Sequence, residues 1–179
     1  MTFSNPAGSA AASAGAYVRA LLEVLGEHDP LAVLAELDEW LDRRFSGVPE
    51  AAVRRPEAPG KWSPADIVQH LADSELVLGF RMRMVLTKDR PAIQGYDQDE
   101  WARTLRYPDV PLAESRAQLR ALRTANLRVL DRLGPADMAR VGVHSERGPE
   151  SLGHLIQLMG AHDLVHRRQI DRVLKAAGA

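Results

Sequence analysis

The sequence predicts an all-α protein, a four-helix bundle with a short extra N-terminal helix. Three observations lead there. Apolar residues recur at three- and four-residue spacing through four long segments. No stretch alternates apolar and polar residues as a half-buried strand does. Helix-start pairs, Asp29-Pro30 and Ser63-Pro64, stand at the heads of two of these segments. The chain has 179 residues, the length of one domain and enough to bury a core without disulfides.

Residues 1–13 are small and polar and read as a flexible N-terminus, with 14–179 as a single bundle domain. A first helix is expected from about Ala14 to Glu27, with Tyr17, Leu21, Val24 and Leu25 on one stripe. Asp29 caps a second helix whose stripe is Leu31, Leu34, Leu37, Leu41 and Phe45, stopping near Gly47. A Pro-rich connection follows over 48–62. Ser63 then caps a helix reaching about Leu86, with Pro64 in its first turn and Asp66 at the capping-box position. Residues 88–110 read as a long linker of the kind that often carries function. Pro111 opens the next helix, with Leu112, Leu119, Leu122, Asn126, Val129 and Leu133 facing in, and Gly134-Pro135 ends it. The last helix is expected from about Glu150 to Ala176.

Composition narrows the function. There is no cysteine, so disulfides, thiolate metal sites and cysteine nucleophiles are excluded. A net charge of -1 and no basic stripe argue against a nucleic-acid partner. No apolar run is long enough to span a bilayer, and Met1 to Gly15 lacks the charge and apolar core of a secretory signal. The expectation is a cytoplasmic protein with a small-molecule substrate.

Three histidines interrupt the apolar stripes. His162 and His166 lie four apart, on one helical face, in the stripe that carries Leu155, Met159, Ile170 and Val173. His70 sits among Ile67, Leu71, Ser74 and Leu78 on another helix. An imidazole in an apolar core needs partners for its nitrogens. Each histidine alone also fits a satisfied core or surface residue. Together, on facing helices, they form a donor set for one divalent metal with an open coordination position. Imidazole suits Zn, Ni, Fe, Cu or Mn, and the sequence does not choose among them.

The neighbours suggest supporting roles. Asp66 and Asp73, one turn either side of His70, are placed to accept its distal N–H, or else to cap or face solvent. Glu75 points elsewhere. Arg81, on the same stripe but about 16 Å along the axis, suits an anionic substrate or a buried carboxylate. Gln169 can hydrogen-bond near the site, and Trp62 and Trp101 can wall a pocket. His28 and His144 read as surface residues and His154 as structural or lining the entrance. Asp163 and Arg167 read as a helical ion pair, and Arg167, Arg168 and Arg172 as a solvated basic face.

Gly60-Lys61-Trp62-Ser63-Pro64 followed by His70-Leu71-Ala72-Asp73-Ser74-Glu75 resembles the second-helix signature of the DinB-like (YfiT-like) metalloenzyme superfamily. His162-Asp163-Leu164-Val165-His166-Arg167-Arg168-Gln169-Ile170 resembles its last-helix signature, and the Tyr96-Asp97 to Trp101 linker fits. The resemblance runs from about residue 30 to 176. It implies a four-helix bundle, a homodimer, and a divalent metal held by His70, His162 and His166. It further implies a stress-related setting and one of two chemistries. One is transfer of a low-molecular-weight thiol (bacillithiol, mycothiol or glutathione) to an electrophile; the other is metal-dependent hydrolysis. A metal would make the thiolate, so the absence of cysteine is compatible with the thiol as co-substrate. Hydrolysis would need a general base, for which Asp66, Asp73 or Asp97 is available. A non-catalytic helical dimer is the third reading. Arg168 departs from the small residue that many relatives carry, which implies a changed pocket shape.

Overall fold

The structure is a computed structural model that describes residues 10–179, with side chains from residue 15 onward. Most of the expected flexible segment therefore lies outside the described residues, and its last part is helical. Helix α1 spans Ala10–Leu25, beginning four residues before the expected start. Helix α2 spans Pro30–Phe45, with the Asp29 carboxylate accepting from the Leu31 N–H. A single turn, α3 (Glu50–Val53), interrupts the Pro-rich connection. Helix α4 spans Pro64–Thr87 and opens with the expected capping box: the Ser63 hydroxyl takes the Asp66 N–H and the Asp66 carboxylate takes the Ser63 N–H.

The expected linker is more ordered than its composition suggests. It holds strand β1 (Ala92–Ile93), helix α5 (Gln98–Thr104) capped by Asp97, and a 3-10 turn over Tyr107–Asp109. Helix α6 spans Leu112–Leu130, and α7 is one turn, Pro135–Met138. Strands β2 (Val141–His144) and β3 (Gly148–Ser151) lead into α8, Leu152–Ala177. The last helix starts at Leu152 rather than Glu150 because Ser151 is its cap, accepting from the His154 N–H.

Helices α2, α4, α6 and α8 form the bundle, each packed on two others, and α1 lies against α8. One core layer gathers Leu37, Leu41, Ile67, Leu71, Leu119 and Ile170; a second gathers Leu34, Met82, Val85, Leu152 and Ile156. Leu21 and Leu25 of α1 meet Leu158 and Ala161 of α8. Helices α2 and α8 approach closely where Gly160 faces Pro30. A Cβ there would stand 3.0 Å from the Pro30 Cα, so glycine sets that spacing.

The sequence reading contained no sheet, and the structure has a three-stranded one, ordered β1-β2-β3. β1 pairs parallel to β2, with Ala92 opposite Val143; β2 pairs antiparallel to β3, with Val141 opposite Ser151. The strands are two to four residues long, too short for alternation to register. The sheet has a consequence for His144, which was expected at the surface. It is 2% exposed, and its Nδ1 accepts the Glu146 N–H at 3.1 Å.

Candidate metal centre

His70 projects from the middle of α4; His162 and His166 project one turn apart from α8. The α4–α8 packing brings them together. His162 Nε2 lies 3.1 Å from His70 Nε2 and 3.1 Å from His166 Nε2. One ligand atom from each of the three lies within 4.8 Å of the others, the only such cluster of metal-ligating side chains among the described residues. Tetrahedral sites with metal–nitrogen bonds of about 2.0–2.1 Å place ligand nitrogens roughly 3.3 Å apart, so the spacing suits one ion.

The proton inventory supports the same assignment. The Gln169 amide oxygen lies 2.8 Å from His166 Nδ1, which therefore carries the proton and leaves Nε2 as a bare acceptor. Three neutral imidazoles meeting through Nε2 cannot satisfy both short contacts, because His162 Nε2 can donate to only one neighbour. Nδ1 of His70 and of His162 are buried with no partner. A core that only needed filling would have no reason to gather these groups. A cation shared by the three Nε2 lone pairs removes the conflict between those atoms and leaves the two Nδ1 groups as they are.

Electrostatics keep the lone pairs available. Burial pushes His70 well below the usual imidazole range, and His166 and His162 add to the shift. Burial and then His162 do the same to His166, against the Gln169 hydrogen bond. Burial, helped by Arg123, lowers His162 to about 4. All three are neutral at neutral pH, as ligation requires. The Trp62 ring packs on His70 with centroids 4.8 Å apart. The Ser74 hydroxyl lies 3.5 Å from His70 Nε2 and 3.0 Å from the Tyr96 hydroxyl.

Two cavities border the histidines, one at His162 and the other at His166. A small one of about 130 Å³ is lined by Ser74, Arg81, Tyr96, Arg147 and His162, and a larger one of about 820 Å³ by Lys61, Trp62, Asp66, Tyr107, His166 and Gln169. Tyr17 of α1 lines both.

Some expected roles hold and others change. Asp66 and Asp73 make no hydrogen bond to His70. Asp66 closes the capping box through Oδ2, and its Oδ1 is buried without a partner. Asp73 accepts from the Tyr107 hydroxyl at 2.6 Å and from the Gln69 and Gln118 amides at 3.2 Å. Trp101 packs on Tyr96, centroids 4.6 Å apart, behind the small cavity rather than on it. Arg81 does line the small cavity. Arg168 is exposed and lines neither cavity, so its bulk leaves both unchanged.

Asp163 does not pair with Arg167 along the helix. It is 0% exposed and takes two hydrogen bonds from Arg123, at 2.8 and 3.3 Å. Arg123 also donates to Glu75 at 2.8 Å, and the Asn126 amide donates to Glu75 at 2.8 Å. Arg167 is part-buried, donating to the Val33 carbonyl at 2.8 Å and covering the Trp40 ring. Arg172 pairs with Glu57. Glu75 points away from the histidines, as expected. Sequence reasoning missed Arg123, because an arginine on an amphipathic helix is ordinarily solvated. It also passed over Arg147 and Tyr96 as site residues; the tyrosine beside the acidic Asp97–Glu100 run was the available signal.

Residues 32–170 match the DinB superfamily model. The chain belongs to the DinB superfamily. It is 32% identical over 116 residues to a protein of Oceanobacillus iheyensis named "putative metal-dependent hydrolase", covering 65% of this chain and 67% of that one. It is 30% identical over 111 residues to a protein of the same description from Geobacillus thermodenitrificans, covering 62% of each. The chain thus spans about two thirds of the length of these relatives. Its fold is similar to that of YfiT from Bacillus subtilis, described as "a probable metal-dependent hydrolase with an unusual four-helix bundle topology". That likeness has a TM-score of 0.76 at 24% identity, covering 83% of this chain and 86% of YfiT. No helix among the described residues is long and apolar enough to cross a membrane.

Proposed function

We propose that this DinB-superfamily chain is a divalent-metal-dependent enzyme. His70, His162 and His166 hold the ion, and a low-molecular-weight thiol is transferred to a small electrophile beside it. The observation that carries the reading is the meeting of three neutral imidazoles through Nε2 beside two cavities. A divalent ion held there would lower the pKa of a thiol or of water in its open position.

The chain's own groups do the rest. Gln169 fixes the His166 tautomer and so points its lone pair inward. Trp62 covers one face of His70 and excludes water. Two chambers, one lined by His162 and the other by His166, suit two reactants, one in each. Among the described residues, the side chains hydrogen-bonded to the three imidazoles are Ser74 and Gln169, with no carboxylate. A thiol ionises at such a site without a general base, whereas hydrolysis gains from one. Hydrolysis is the second reading, favoured by the descriptions of the relatives.

The proposal includes a homodimer; Leu76 and Phe80, one turn apart on α4, are large and exposed. Sedimentation would show a monomer if that part is wrong.

The first experiment is metal analysis of protein purified without a metal column, on wild type and His70→Ala. About one divalent ion per chain, lost in the variant, is expected. No ion in either, after dialysis against Zn, Ni and Mn, would overturn the metal reading. Metal-loaded protein would then be given thiol–electrophile pairs and simple esters or amides. Turnover only with the esters or amides would replace transfer by hydrolysis.

A further inference from the structure

We propose that the small chamber is the subsite for a carboxylate carried by the substrate, with Arg81 as its receptor. This deepens the function proposed above and rests on it for the substrate's reacting end, though not for the binding itself.

Arg81 is a part-buried guanidinium with no carboxylate partner among the described residues. One Nη donates to the Gln94 backbone carbonyl, and its carbon lies 6.0 Å from the Tyr96 ring centroid. Both contacts hold the fork in place without neutralising it. Arg147 is bound bidentately by Glu150, at 2.5 and 2.8 Å, and Glu146 stands exposed at the rim. Burial, and then Arg147, weaken the hold of Arg81 on its proton, against the smaller opposing effects of Tyr96, Glu150 and Glu146. An anion delivered to it would be welcome. A guanidinium presents parallel N–H groups that match a carboxylate edge-on.

The position connects the subsite to the histidines. A long side chain on a helix leans toward the helix N-terminus, and on α4 that is toward His70. Tyr96, under the guanidinium, reaches Ser74 through its hydroxyl at 3.0 Å, and Ser74 reaches His70 Nε2 at 3.5 Å. His162 lines the same chamber. A ligand seated on Arg81 therefore shares one chamber with Tyr96, Ser74 and His162. The chamber of about 130 Å³ is close to the size of a cavity that holds benzene. It suits a short or single-ring carboxylate.

The test uses benzoate and its neutral isostere benzamide, followed by NMR titration of metal-stripped protein and of metal-loaded protein. Benzoate is expected to bind about tenfold more tightly than benzamide to both forms, the scale of one charge-assisted contact. Arg81→Met should erase that preference, and Arg81→Lys should restore part of it. Unchanged melting and metal content would show that the fold and the histidine site survive. Equal binding of the two ligands to wild type would overturn the inference. So would a benzoate preference that persists in Arg81→Met: in both forms it would place the carboxylate on another group of the protein, and in the metal-loaded form alone it would place it on the metal. Tighter binding of phenylphosphonate than of benzoate would reassign the subsite to phosphate esters. Failure of the protein to take up metal would sink the enzymatic reading, while the metal-stripped titration would still decide this one.

Discussion

Two buried polar clusters share helices α4 and α8, and they are built on opposite terms. His162 and Asp163 are consecutive, about 100° apart around the helix, so each faces a different cluster. Glu75, Arg123, Asn126 and Asp163 form one. There two carboxylates share one guanidinium and every member has direct hydrogen bonds. His70, His162 and His166 form the other, with two ring nitrogens unpartnered and the Nε2 atoms crowded together. Desolvation alone would pull Arg123 down, yet the facing Asp163 and Glu75 carboxylates overcome it and hold it firmly charged. No such compensation exists among the histidines. A completed polar cluster fixes a structure, and an incomplete one leaves room for a ligand.

The sharpest break of that contrast is Arg123→Met. It strands two buried carboxylates and should cost about 3–5 kcal/mol of stability. Chemical denaturation would read the loss. Replacing Glu75, Arg123 and Asp163 together by apolar residues should recover most of it; no recovery would mean that the cluster does more than satisfy its own buried groups. His166→Ala acts the other way. It should lower metal affinity by at least about 100-fold, on the scale expected when even a supporting partner costs 10–100-fold, while the helical circular-dichroism signal stays. Global unfolding of that variant would make the histidines structural. Gln169→Leu, which frees His166 Nδ1, should weaken metal binding by about tenfold. Competition against a chelator would measure it, and unchanged affinity would remove Gln169 from the site.

The smallest effect concerns His144. Burial, with Arg147 and Arg81 nearby, lowers its pKa to about 4. The unfolded chain takes up this proton near the ordinary value of about 6.5, and the folded chain resists until about 4. Its contribution is therefore fully present above 6.5 and is lost as the pH falls from there toward 4. The other buried histidines of metal-stripped protein act in the same direction. In His144→Gln the loss across that window should be smaller, by on the order of 1–2 kcal/mol. Identical pH profiles for the two proteins would show that His144 titrates freely.

The bundle was legible because its helices announce themselves locally. Asp29-Pro30 and Ser63-Pro64 with Asp66 are start signals that need no tertiary context. The three histidines were legible as polar interruptions of apolar stripes. What the sequence hid is non-local. The strands are short, and β3 carries Pro149, so they exist only as partners of one another and no periodicity betrays them. Arg123 reads as a surface residue until α4 and α8 present Glu75 and Asp163 to it. Asp66 and Asp73 had suitable spacing for His70, but spacing on one helix does not say which neighbour wins. Asp66 is drawn to the cap and Asp73 to Tyr107.

Helix α1 lies outside the stretch that matches the family model, residues 32–170, yet its Tyr17 forms part of the wall of both chambers. The division of labour is modular. The shared frame supplies the histidines, and a separate helix laid across α8 shapes the space in front of them. A change confined to that one helix would then reshape both chambers while leaving α4 and α8, which carry the three histidines, as they are.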